Sequence, residues 1–140
     1  MLLISRDFLP HLLDRISGTD GHYTAFRLAF YFGTDPRSTA AAADSNILAR
    51  FNFASPWAFP WDENSVYKQG PLTTTVTTSG RASYWRLLGL HDGAWRVVVH
   101  GSLGLVGSTA DIKVRTLEWM IGDPVTLEAI QIFPIKLTYR

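Results

Sequence analysis

The sequence predicts an all-β protein, a jelly-roll-like antiparallel β-sandwich of about eight strands with one short N-terminal helix. Several segments alternate apolar and polar residues with a period of two, which is typical of half-buried strands. Turn residues recur at intervals of ~8–12 residues, and no helices separate the strands, which argues against an α/β fold. The 140 residues are the size of one domain. We interpret residues 1–20 as a helical arm and residues 21–140 as the sandwich.

The helix is predicted near the start of the chain. Asp7 can cap it, Gly18 ends it, and Pro10 lies in the first turn, where its missing N–H is tolerated. The apolar side chains that share one face, and must therefore pack on something, are Phe8, Leu12, Leu13 and Ile16.

Two strands are predicted in the first half of the chain. Residues 23–32 and 46–53 alternate apolar side chains with polar or small ones, and residues 33–44 are expected to form a loop. The side chains expected to share one face are Phe26, Leu28, Phe30 and Phe32 in the first strand, and Ile47, Ala49, Phe51 and Phe53 in the second.

The second half predicts further strands. Residues 70–80 are rich in threonine, which favours a strand with at least one solvent-exposed face. Asp92-Gly93 between two strand-like runs predicts a tight hairpin. In its second strand, Trp95, Val97 and Val99 are expected on one face and Arg96, Val98 and His100 on the other.

The last two strand-like segments are residues 111–119 and residues 124–140. The first of them alternates regularly. In the second, the apolar phase slips between Leu127 and Ile130, which predicts a bulge or a bend.

Composition narrows the function classes. The net charge is +1 and the Lys and Arg residues are scattered, whereas nucleic-acid-binding domains usually carry a basic stripe. No apolar run reaches the ~18 residues of a membrane span, and no signal-peptide cleavage site follows the N-terminus. The chain has no cysteine, 18 % charged and 13 % aromatic residues. This low-charge, aromatic-rich composition fits a protein that functions in an assembly, and it fits equally a small all-β domain with a large core.

The sequence shows no evident catalytic, phosphate-binding or metal-binding motif. Asp62 and Glu63 are neighbours and point different ways, so they do not form a glycosidase pair. There is no nucleophile elbow, and the glycine-rich residues 101–107 lack the lysine of a phosphate loop. The four histidines are not at metal-ligand spacing: His11, His22, His91 and His100. We therefore expect no catalytic, cofactor or metal site and no enzyme activity.

The aromatic–proline segment 52–64 stands out. Pro56 and Pro60 fix the local backbone, so a loop held by them loses little entropy when it docks. Large aromatic side chains carry much of the energy of protein contacts. The segment can be an anchor on another protein, a platform for stacking sugar rings, or a plug for one end of the sandwich. The residues predicted at a protein interface are Phe53, Trp57, Phe59, Trp61, Tyr67, Phe8 and Leu12.

Four segments carry a resemblance to a known group of proteins. In chain order they are YFGTDPRSTAAAAD (31–44), ILARFNF (47–53), TTSGRASYWRLLGLHDG (77–93) and VVHGSLGLVGSTADIKV (98–114). The order resembles small structural proteins of tailed bacteriophages, most like capsid cement or decoration proteins of the podovirus type. The resemblance implies a jelly roll on the outer surface of an HK97-type head. It also implies the major capsid protein as partner and a homodimer across two-fold axes, with no cofactor, nucleic acid or membrane.

The middle of the chain departs from this group. In typical members this region is small and rich in alanine and glycine, whereas this chain has SPWAFPWDENSVYKQG (55–70). Two alternatives therefore stay open: a neck or tail component of the virion, and a carbohydrate-binding β-sandwich module. For the dimer, the expected patch is either the last strand at a sheet edge or the apolar stripe of the helix.

Overall fold

Two β-sheets enclose the core in the computed structural model, which describes residues 9–35, 46–60, 65–109 and 112–132. One helix, α1 (Leu9–Ser17), precedes the strands. The strands are β1 (Ala25–Phe32), β2 (Ile47–Ala54), β3 (Phe59–Pro60), β4 (Val66–Thr75), β5 (Gly80–His91), β6 (Ala94–Leu105), β7 (Ile112–Val114), β8 (Glu118–Trp119) and β9 (Pro124–Ile132). The predicted all-β sandwich with one short N-terminal helix is confirmed.

The larger sheet has the order β2-β1-β5-β6-β7, and β8 pairs with β5. The smaller sheet has the order β3-β4-β9. Neighbouring strands are antiparallel except β6 and β7, which are parallel. The inner faces of both sheets and α1 contribute side chains to one apolar cluster.

The helix ends as predicted. Gly18 follows its last residue with a φ of 92°, a conformation that suits glycine at the end of a helix. Leu13 and Ile16 are buried in the core, and Leu12 is half-buried against it. Phe8, which completes the predicted stripe, lies outside the described residues.

The alternation of β1 is confirmed, but that of β2 changes at its start. Phe26, Leu28 and Phe30 are fully buried in the main core. In β2, Leu48 faces this core, whereas Ile47 packs in a separate cluster on the outer face of the large sheet. The prediction that Ile47 shares a face with Ala49 and Phe51 is wrong because the β1–β2 register shifts at this end of the pair, and a one-residue slip exchanges faces.

The Asp92-Gly93 hairpin is confirmed. Both residues have positive φ, 50° and 76°, as a tight turn between right-twisted strands requires. Beyond it, Val97 packs on the outer cluster while Val99 packs on the main core. The two side chains therefore lie on different faces, although the alternation predicts that they share one. The reason is a register shift between Leu87 and Leu88 of β5.

The predicted phase slip of the last strand is confirmed. Leu127 and Ile130 are buried, and the two residues between them are exposed. The partner strand β4 carries the matching irregularity, between Gln69 and Leu72. A Cβ at Gly70 would overlap the carbonyl oxygen of Glu128. Only glycine therefore lets the two backbones approach at this point.

The two lateral sides of the sandwich differ. On one side the hydroxyl of Thr74 donates to the carbonyl of Arg50 at 2.8 Å, and the N–H of Thr77 donates to the carbonyl of Leu48 at 2.8 Å. These bonds join the end of β4 to the edge strand β2. On the other side, no ladder between the described residues joins β7 to β9, and a cleft separates the two strands.

Candidate functional site

Trp57 is part of the core. Its indole Nε1 donates to the carbonyl of Ile16 at 2.8 Å, and its backbone N–H donates to the carbonyl of Ser17 at 3.1 Å. These carbonyls belong to the last turn of α1, which lacks partners within the helix. The side chain is only 2 % exposed. The expectation that Trp57 contacts a partner is therefore replaced by the plug interpretation, because the helix already covers its ring.

A row of rings links Trp57 to the interior. Its ring lies 5.4 Å from that of Phe53 and 6.2 Å from that of Phe26. Phe53 in turn stacks on Phe51 at 6.3 Å. Phe53 is only half-buried, so the row runs from the centre of the core to the surface.

Two other residues predicted at an interface, Phe59 and Tyr67, form a surface together with Pro60, and we call these three residues the aromatic patch. Phe59 is 46 % exposed and lies directly across from Tyr67 in the β3–β4 pair. Their rings meet edge to face at 5.8 Å. Trp61 follows Pro60 in the sequence and lies outside the described residues. The patch therefore occupies the β3 edge of the small sheet.

A second surface lies at the opposite edge, and we call it the lateral cleft. It is the space between β7 and β9, with a volume of about 850 Å³. Lys113 and Arg115 lie on its β7 side, and Asp123 and Glu128 on its β9 side. The buried apolar side chains that line it are Val76, Ile112, Trp119, Val125, Leu127 and Ile130. An apolar floor with a charged rim suits an extended chain that is itself half apolar.

The outer face of the large sheet holds a buried cation that the sequence pattern does not reveal. Arg86 is 1 % exposed, and its guanidinium carbon lies 5.7 Å and 5.6 Å from the rings of Tyr31 and Tyr84. These two rings stack at 4.8 Å. Burial raises the pKa of the Tyr84 hydroxyl, and the nearby Arg86 charge offsets only part of that rise. The burial of Arg86 could not be predicted from a sequence motif, because an arginine in a strand ordinarily faces water.

His100 connects this cation to a carboxylate. The Nε of Arg86 donates to Nδ1 of His100 at 3.2 Å, so that nitrogen is an acceptor. Nε2 of His100 therefore carries the proton and donates to Asp35 at 2.7 Å. Because both ring nitrogens are engaged, His100 holds the Arg86 side chain in place and has no lone pair left for a substrate proton.

A stacked histidine pair lies at the β5–β6 turn. The rings of His22 and His91 are 4.0 Å apart, and Nδ1 of His91 donates to the carbonyl of His22 at 3.0 Å. Desolvation, followed by the charges of Arg15 and His91, lowers the pKa of His22. Desolvation raises the pKa of nearby Asp20, but hydrogen bonds from Arg15 and from the His22 backbone outweigh it and leave that pKa lowered.

No group of three or more potential metal ligands occurs among residues 9–35, 46–60, 65–109 and 112–132. In the same residues no helix is long and apolar enough to cross a membrane. Asp62 and Glu63 lie outside these ranges.

Comparisons of the chain with models of protein families, with curated proteins and with solved structures gave no significant match. The resemblance of the four sequence segments to phage structural proteins therefore stays a prediction.

Proposed function

We propose that this protein is a capsid cement or decoration protein of a tailed phage, which binds the outer surface of an HK97-type head and stabilises the shell as a homodimer. The observation that carries the proposal is the position of the two surfaces. Strands β3 and β9 flank β4 in the small sheet, so the aromatic patch and the lateral cleft lie at opposite edges of one sheet. A protein that bridges its neighbours needs two such separate contact surfaces.

The aromatic patch is the surface that we assign to the major capsid protein. Truncation of one large aromatic side chain at the centre of a contact typically costs ~2 kcal/mol or more. Phe59 offers such a ring, since nearly half of it is exposed, and the ring of Tyr67 supports it from the side. Each contact is modest, but many identical contacts on one lattice act together.

The order of the four sequence segments supports a phage structural role independently of the surfaces. A cement protein reinforces a shell against the outward pressure of packed DNA without chemistry. A rigid scaffold is enough for this task. In this chain the stiffness comes from two sheets with one shared core and from the hydrogen bonds that close the β2 side.

The test uses purified protein and mature, expanded shells that lack it. We expect the protein to co-sediment with the shells and to raise their disruption temperature. Phe59→Ala should weaken binding at least tenfold. Trp95→Ala is the matched control because it removes an aromatic side chain of similar exposure, 38 %, from the large sheet. Absence of binding by the wild-type protein, or equal binding by Phe59→Ala, would count against the proposal.

The sugar-binding alternative has less support from the geometry. Stacking on a sugar needs an open, flat ring face, but Trp57 is buried and the rings of Phe59 and Tyr67 are inclined by 65°. Binding to a glycan array that disappears in Phe59→Ala would reverse this preference. A neck or tail role is distinguished by the number of copies per virion, measured by gel densitometry, because a neck ring contains far fewer copies than a decorated shell.

A further inference from the structure

No strand among the described residues pairs with the edge of β9 that faces the lateral cleft, and this edge carries few features that protect it from pairing. Natural edge strands are blunted by charged residues, prolines or short length. β9 has nine residues, with its single proline at the first position and one charged residue, Glu128. Its phase slip lies next to Glu128, but apolar side chains continue toward the cleft on both sides of it.

The residues directly after β9 have the pattern of a strand that would fit this edge. In segment 133–140, FPIKLTYR, apolar residues alternate with the others. Extended at ~3.3 Å per residue, eight residues cover a length close to that of β9. The apolar members, which would face the floor of the cleft, are Phe133, Ile135, Leu137 and Tyr139.

The sequence disfavours a tight hairpin between this segment and β9 of its own chain. A tight hairpin requires positive φ at its central residues, which Gly, Asn or Asp supply. The residues available are Phe133 and Pro134, and proline is fixed at a φ near −65°. Parallel pairing needs a connection of about a dozen residues, whereas this segment follows Ile132 without any connection. These constraints favour the cleft of another molecule.

Charge indicates which wall of the cleft the segment pairs with. In an extended segment, the alternation would place its two charged residues, Lys136 and Arg140, on the face opposite to the apolar residues. The β7 side of the cleft carries Lys113 and Arg115, and the β9 side carries Asp123 and Glu128. A basic segment is therefore repelled by β7 and attracted by β9.

We propose that segment 133–140 of a second copy of this chain adds a strand to the edge of β9 that no described strand pairs with, and buries its apolar face in the lateral cleft. Reciprocal exchange fills both clefts of a two-fold dimer with identical contacts, as a closed isologous pair requires. This inference specifies the dimer contact of the proposed function. It does not require binding to a shell, so the two proposals can fail separately.

Cysteine cross-linking of the full-length chain tests the inference. The chain contains no cysteine, so an introduced pair is unambiguous. Thr126 is exposed on β9, and we would combine Thr126→Cys in turn with Lys136→Cys, Thr138→Cys and Arg140→Cys. A disulfide requires Cα atoms within ~7 Å, and strands on one ladder place same-face residues within that distance.

Under mild oxidation at least one double variant should give a covalent dimer of twice 15.6 kDa on a non-reducing gel. Arg96→Cys with Thr138→Cys is the control that should stay unlinked, because Arg96 is exposed on β6 of the other sheet. A monomer with an internal disulfide would overturn the inference, because it would show that the segment pairs with β9 of its own chain. Absence of any cross-link in all three variants would overturn it altogether.

A second measurement uses matched substitutions on the two faces of the segment. Leu137→Lys should raise the dimer dissociation constant at least tenfold in light-scattering chromatography over a dilution series, whereas Thr138→Lys should change it less than threefold. Equal effects of the two variants would show that no face of the segment is buried. Shell binding measured on the same samples separates loss of the dimer from loss of the proposed function.

Discussion

Removal of the Trp57 side chain should destabilise the fold rather than weaken a contact directly. Trp57→Ala deletes a ring that is 2 % exposed. Burial of 150–250 Å² by such a ring corresponds to about 4–6 kcal/mol at ~25 cal/mol per Å², and measured large-to-alanine changes cost about 3–5 kcal/mol. The lost bond from Nε1 to Ile16 also leaves a carbonyl of the last turn of α1 without its partner, which costs about 1 kcal/mol. We expect a total loss of about 4–6 kcal/mol in the free energy of unfolding.

Urea unfolding followed by far-UV circular dichroism measures this loss, since it does not depend on the fluorescence of the removed residue. With a slope of about 1–3 kcal/mol per M, the midpoint should fall by roughly 2 M. Phe59→Ala is the control: its ring is 46 % exposed, and we expect a change below about 1 kcal/mol. If Trp57→Ala unfolds within about 1 kcal/mol of the wild type, the assignment of Trp57 to the core is refuted.

Three further predictions concern the backbone, the outer face and pH. Gly70→Ala should lower the free energy of unfolding by about 2 kcal/mol or more in the same urea assay, because its Cβ overlaps the β9 backbone, whereas Gln69→Ala should have little effect. His100→Ala should cost about 1–3 kcal/mol because it leaves the Nε of buried Arg86 without its acceptor; an unchanged melting temperature would contradict that role. Because the pKa of His22 is lowered in the folded protein, the unfolded chain binds more protons near this pKa. The contribution of His22 to the free energy of unfolding should therefore be fully present above pH ~6.5 and decrease below that pH. His22→Gln should remove this part of the pH dependence, and a variant whose pH profile of stability matches the wild type would refute the prediction.

Elements whose identity depends on local sequence could be predicted. The helix that ends at Gly18, the Asp92-Gly93 hairpin and the phase slip before Ile130 are all encoded by neighbouring residues. The face assignments failed at Ile47 and Val97, because register shifts there depend on the partner strand, which a single sequence does not reveal.

The candidate site was only partly predictable for the same reason. The aromatic composition of segment 52–64 marked it as important, but it could not separate the buried Trp57 from the exposed Phe59. Their separation depends on the carbonyls of α1 that accept the Trp57 hydrogen bonds, forty residues earlier in the chain. The Arg86–His100–Asp35 cluster joins three distant segments and has no linear signal.

The small sheet has a mechanical consequence. A load passed from the aromatic patch to the edge of β9 crosses only two hydrogen-bonded ladders, β3–β4 and β4–β9. The first of these contains two residue pairs and the second eight, so tension across the molecule would concentrate at the shorter one. The anchoring of Trp57 to the last turn of α1, two residues before β3 begins, would hold the start of β3 to the core if that ladder separated.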